Sequence, residues 1–133
     1  MTTIRGKIIN YNLSYDGEIS FHDKIVNVTK INEIQDTFII PGFVDLHCHG
    51  GNGFDVMQGW ESIKKMSEYH LSHGTTSIAA TTWTESLDNT KKALQGYYSE
   101  INNYPNIIGV HLEGPFINPS KLGAQPAKTK NPD

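Results

Sequence analysis

The stretch PGFVDLHCHGG, Pro41 to Gly51, decides how the chain is read. A proline interrupts the pattern before it and glycines close it. Between them Asp45, His47 and His49 alternate with Val44, Leu46 and Cys48. Strand side chains alternate between faces, so the pattern predicts a strand over 42–49 with three polar, metal-competent groups on one side.

Working outward, GGNGFD (50–55) reads as a flexible loop over the site. The segment 59–74 reads as a helix, with Trp60, Ile63, Met66 and His70 at helical spacing and Gly74 as its stop. TTSIAATTW (75–83) is the next strand, 86–102 a second helix capped by Ser86, 106–115 a third strand, and 116–133 a loop. Strand, helix, strand, helix, strand predicts an α/β arrangement with right-handed crossovers and a parallel sheet. Residues 1–40 differ: IRGKIIN, EISFHDKIVNVTKI and TFII are short β-branched runs, with a turn expected at Tyr15–Asp16–Gly17. The domain boundary is therefore placed between 1–40, a small β-segment, and 41–133.

Composition narrows the function classes. The 133 residues carry 37% hydrophobic and 19% charged residues and a net charge of -3, the profile of a folded domain with no basic stripe. Nucleic acid is excluded as an expected partner. No run approaches the roughly 18 apolar residues of a membrane span, and the N-terminus lacks a signal-peptide core, so neither a membrane nor export is expected. The single cysteine, Cys48, rules out an internal disulfide and fits a reducing, cytoplasmic setting.

The third strand supplies the partner for the first. In IIGVHLEG, His111 and Glu113 share one face, and both strands end in metal-competent groups. Functional groups collect at the carboxyl ends of parallel strands. His47, His49 and Glu113 are accordingly the candidate ligands of a divalent transition metal, zinc being best suited to two imidazoles and a carboxylate. Asp45 and His111 read as supporting groups. GGNGFD lacks the Lys-Ser/Thr of a phosphate loop and the spacing of a dinucleotide loop. His70 and His73 read as helix packing with a favourable C-terminal dipole interaction. His22 reads as a surface residue and Cys48 as a small hydrophobe.

IIPGFVDLHCHGGNGFD resembles the opening of the amidohydrolase superfamily barrel. GVHLEGPFINPSKLGAQP, with GTTSIAATTWT before it, resembles the N-acetylglucosamine-6-phosphate deacetylases within that superfamily. The resemblance implies the front part of a metal-dependent (β/α)8 barrel preceded by a β-sandwich segment. It implies hydrolysis of N-acetylglucosamine 6-phosphate to glucosamine 6-phosphate and acetate by a metal-activated water. It makes Glu113 a ligand of the principal metal, with His47 and His49 retaining room for a second. Zinc is the expected ion, with iron, manganese or cobalt as the other candidates, and one or two ions are expected. Ala124 and Gln125 fall where the family's loop meets the sugar phosphate, Gln125 standing where some members have histidine.

The implied general base, an aspartate from a later strand, is expected beyond residue 133, so no catalytic residue is expected within the chain. A barrel needs about 250 residues. The 133 residues are accordingly expected to be an inactive front portion, and the full-length enzyme to be a homodimer. Two rivals stay open. A dihydroorotase-like cyclic amidase would carry arginine where Gly51 stands, and a non-catalytic, truncated metal-binding module would bind metal without turnover.

Overall fold

The computed structural model describes residues 1–132. The chain divides into two compact units, Met1–Pro41 and the residues from Gly42 onward.

In the first unit, β1 (Thr2–Asn10) and β2 (Leu13–Phe21) form an antiparallel hairpin. A third strand, β3 (Ile25–Lys30), adds antiparallel to β2, and β4 (Phe38–Ile39) adds parallel to β1, giving the order β3-β2-β1-β4. Ile8 and Ile19 are buried on this sheet, while β3 is exposed along its length. Tyr15, Asp16 and Gly17, expected to turn, lie inside β2 instead. Gly17 pairs with Gly6 across the hairpin, and a Cβ on Gly17 would lie 2.5 Å from Ile8 Cδ1. The glycine thus serves close packing between strands rather than a turn. The chain reverses at Tyr11–Asn12 and again at His22–Lys24, where His22 is exposed as predicted. Among the described residues this unit presents one four-stranded sheet.

In the second unit, β5 (Phe43–Cys48), β8 (Thr75–Thr82) and β9 (Ile107–Leu112) form a parallel sheet in the order β5-β8-β9. Between β5 and β8 lie a short hairpin, β6 (Gly50–Gly51) with β7 (Phe54–Asp55), and the helix α1 (Trp60–Ser72). GGNGFD is therefore not a featureless loop. Asn52 (φ 52°) and Gly53 (φ 82°) supply the left-handed pair that a tight hairpin turn requires. Helix α1 buries Trp60, Ile63 and Met66, the stripe read from the spacing. They join Cys48, Val56, Ile78, Ala80 and Ile107 in one core. Ile63 and Met66 are fully buried, so truncating either to alanine would cost about 2–5 kcal/mol.

The helix expected over 86–102 is broken. Ser86 caps α2 (Leu87–Ala93) through its hydroxyl, as predicted, but α2 stops before Gly96, whose φ of 98° no helix accommodates. A second short helix, α3 (Tyr97–Glu100), follows, with a 3-10 turn over Ile101–Asn103. Lys64 on α1 pairs with Glu61 and with Glu100 of α3; the hydrogen bond it donates to Glu61 leads in holding its ammonium pKa above the ordinary value. Phe43, Val44 and Leu46 of β5 and Leu112 of β9 are exposed. Among the described residues no helix is long and apolar enough to cross a membrane. The architecture is mixed α/β.

Candidate metal centre

His49 follows β5 directly, and its ring is held from two directions. Its Nδ1 lies 3.0 Å from the Thr81 carbonyl, which can only accept, so Nδ1 carries the proton and donates. In the neutral ring Nε2 is then a bare lone pair. That Nε2 points at Glu113, one residue beyond β9, with 3.1 Å to Oε2. His47 reaches the same oxygen from β5, at 2.9 Å, and its Nε2 lies 3.2 Å from that of His49. The three residues predicted from the sequence therefore converge, their candidate ligand atoms all lying within 4.8 Å of one another.

The electrostatics of this trio are informative. Glu113 Oε2 is buried and takes no well-directed hydrogen bond, although two imidazole nitrogens lie beside it. A buried carboxylate oxygen without a donor costs roughly 1–3 kcal/mol, and electron pairs facing one another add to that. A cation between them removes both costs. Two imidazole nitrogens and one carboxylate oxygen are the donor set of open zinc sites, which keep a further position for water or substrate. The donors present thus fit a divalent transition metal.

Neighbouring groups hold the trio. Asp45 accepts the backbone N–H of His47 at 3.0 Å, and the His111 ring meets that of His47 edge-on at 4.9 Å. Asp45 and His111 thus both lie against His47. Cys48 lies in the core between the two histidines, and burial pushes its thiol pKa up. His70 gains a partner that helix packing did not reveal: its Nε2 lies 3.1 Å from the Gly50 carbonyl, which also receives the Cys48 thiol. His73 sits at the end of α1 with its Nδ1 on the Tyr69 carbonyl. Trp83, one residue beyond β8, stacks on His49 and was not singled out from the sequence. An aromatic residue at the carboxyl end of the central strand was the available signal.

Beyond β9, the chain returns to the residues that follow β8, through Gln125 on Thr84 and Lys128 on Glu85. Gln125 Oε1 accepts the Thr84 N–H at 2.7 Å, so this side chain anchors the loop. Ala124 lines an open cavity of about 460 Å³ with Asp55, Met57, Trp83, Thr84, Glu85 and Pro126. Lys128 pairs with Glu85, and that hydrogen bond leads in lowering the Glu85 carboxyl to about 2, assisted by the Ser86 N–H and Asn89. Because the folded value lies below the ordinary 4.5, the contribution of this pair is present above 4.5 and is lost as pH falls through about 2. Carbon-detected titration of Glu85 should show a midpoint near 2, returning toward 4.5 in Lys128→Ala. A wild-type midpoint near 4.5 would mean that Lys128 does not hold Glu85.

Comparison with known proteins follows the same lines. A model of the amidohydrolase family matches residues 38–131. An N-acetylglucosamine-6-phosphate deacetylase from Bacillus subtilis is 36% identical over 104 residues, 73% of this chain and 26% of the relative. One from Lysinibacillus sphaericus is 30% identical over 117 residues, 84% of this chain and 30% of the relative. Among solved structures, the N-acetylglucosamine-6-phosphate deacetylase of Thermotoga maritima superposes with a TM-score of 0.89 at 33% identity, covering 99% of this chain and 38% of the other. The chain thus spans between about a quarter and two fifths of the length of these proteins.

Proposed function

The chain belongs to the amidohydrolase family, and from that premise we propose that it supplies the metal-ligand half of an N-acetylglucosamine-6-phosphate deacetylase. On this reading residues 41–133 are the first strands and helices of a (β/α)8 barrel, and residues 1–40 belong to a small β-sandwich. The observation that carries the proposal is the convergence of His47 Nε2, His49 Nε2 and Glu113 Oε2 within 4.8 Å of one another, with Glu113 Oε2 buried and without a well-directed hydrogen bond.

Glu113 would hold the principal ion, with His47 and His49 beside it, and zinc is the ion we assign ahead of iron, manganese or cobalt. A divalent ion there supplies Lewis acidity toward an amide carbonyl and lowers the pKa of a water. The rest falls to the chain's own groups. His49 keeps its proton on Nδ1, against the Thr81 carbonyl, so Nε2 stays available as a ligand throughout turnover. Asp45 fixes the backbone at His47, and Glu113 brings the negative charge that a neutral imidazole pair lacks. Ala124 and Gln125 stand in the loop assigned to the sugar phosphate, and Gln125 meets it while still anchored to Thr84. Attack on the acetamide yields acetate and the free amine, a reaction that needs a general base assigned outside these residues. We place the whole protein in the cytoplasm as a homodimer.

The test is acetate release from N-acetylglucosamine 6-phosphate with and without zinc. The full-length protein should turn over in a metal-dependent manner, and the 133 residues alone should bind zinc without turnover. Hydrolysis of dihydroorotate in place of the acetylated sugar would overturn the substrate assignment. Turnover by the 133 residues alone would overturn the placement of the base.

A further inference from the structure

His49 is restrained more tightly than a ligand needs for strand geometry alone, and the extra restraint comes from Trp83. The indole lies flat on the imidazole, with ring centroids 3.8 Å apart and planes 14° from parallel. The indole is itself anchored, since its Nε1 donates to Asp55 Oδ2 at 3.0 Å. Asp55 in turn cannot swing, because its Oδ1 accepts the Met57 N–H at 2.7 Å in a capping box with Gln58. Its backbone N–H also donates to Ser62 on α1, at 3.0 Å. A chain of contacts therefore runs from the first turn of α1, through Asp55 and Trp83, to one face of a candidate ligand.

From this geometry we infer that Trp83 is a positioning residue of the metal centre: braced by Asp55, its indole holds the His49 ring with Nε2 aimed at Glu113. The inference rests on the metal reading above and adds to it a residue that is not itself a candidate ligand. The physical reason is rotational. The bond from Nδ1 to Thr81 fixes one point of the imidazole but leaves rotation of the ring plane about that bond. A flat aromatic surface over the ring removes that freedom and excludes water from one face. Partners that orient a ligating histidine typically matter about 10–100-fold in metal affinity. Trp83 also borders the cavity that Ala124 lines, so the same ring joins the metal centre to the loop assigned to substrate.

The test uses histidine-labelled protein in two stages. Without metal, the carbon-bound protons of His49 should be shifted upfield by the indole ring current, with the proton fixed on Nδ1. In Trp83→Ala the shift should vanish and the tautomers should mix; in Trp83→Phe, which keeps a flat ring, both features should largely return. Zinc affinity, measured by competition with a chromogenic chelator, should fall about tenfold or more in Trp83→Ala and recover in Trp83→Phe. Melting curves report whether each variant is folded, and the phenylalanine variant keeps the test decisive if the alanine variant is not. Unshifted His49 resonances in the wild type, or wild-type zinc affinity in Trp83→Ala, would overturn the inference. A wild type with the ring-current shift and no zinc binding would instead sink the metal reading and leave the bracing of His49 standing.

Discussion

Glu113→Gln should melt at a higher temperature than the wild type in the absence of metal, and should gain almost nothing from zinc. The sign follows from the site's geometry. In the wild type a buried carboxylate oxygen faces two imidazole nitrogens at 2.9 and 3.1 Å without a well-directed hydrogen bond. Glutamine has nearly the same shape, carries no charge, and can turn its amide N–H toward the bare Nε2 of His49. That exchange replaces an unsatisfied acceptor with a donor, a change of about 1–3 kcal/mol in favour of the metal-free variant. Loading reverses the order. At a zinc concentration one hundred times the dissociation constant the wild type gains about 2.7 kcal/mol, which a variant without the anionic ligand forgoes. Thermal melts with zinc and with chelator, run on both proteins, check both halves. A variant that melts lower without metal, yet is stabilised by zinc as much as the wild type, would make Glu113 a structural carboxylate.

This crossing of stabilities also explains why the site was legible in the sequence. Local pattern and chemistry usually agree, and they part where function demands a group that folding alone would not choose. His47, His49 and Glu113 are such groups: polar, at strand ends, and turned toward one another rather than into the core. The α1 stripe was legible for the opposite reason, since Trp60, Ile63 and Met66 repeat at the period of the helix they form.

What was not legible depended on residues far apart in the chain. Gly17 looks like a turn glycine until Gly6 and the Ile8 side chain are placed against it. Gly96 interrupts a run whose composition suits a continuous helix. There a Cβ would stand 3.2 Å from Trp60 Cδ1 and the backbone is left-handed, so packing against α1 and conformation both select glycine. Trp83 is one aromatic residue among several until β5 and β8 lie side by side and bring His49 beneath it. In each case the deciding contact is between elements, and no window of neighbouring residues contains it.

The hairpin after His49 carries the second large expected effect. Gly50→Ala should destabilise the protein by about 1–3 kcal/mol and weaken zinc binding at least tenfold. A Cβ at Gly50 would stand 2.3 Å from the Phe54 carbonyl and 3.3 Å from Asp55 Cα, a clash of backbone with backbone that no rotamer change relieves. Opening the hairpin would disturb the Val56 N–H bond to the His49 carbonyl, 2.9 Å, and the Gly50 carbonyl that His70 and Cys48 share. It would also move Asp55, the brace of Trp83. Gly53→Ala is the control. It lies at the tip of the same hairpin with nothing within 4 Å of its would-be Cβ, and only its φ of 82° resists the change. That substitution should cost about 1–2 kcal/mol of left-handed strain and leave zinc affinity as it was. Chemical denaturation and zinc titration of the two variants separate general weakening from loss of the site. If equal destabilisation brought equal loss of zinc, the hairpin would matter only through overall stability. If Gly50→Ala alone lost zinc, the tight approach of Gly50 to Phe54 is what sets His49 in place.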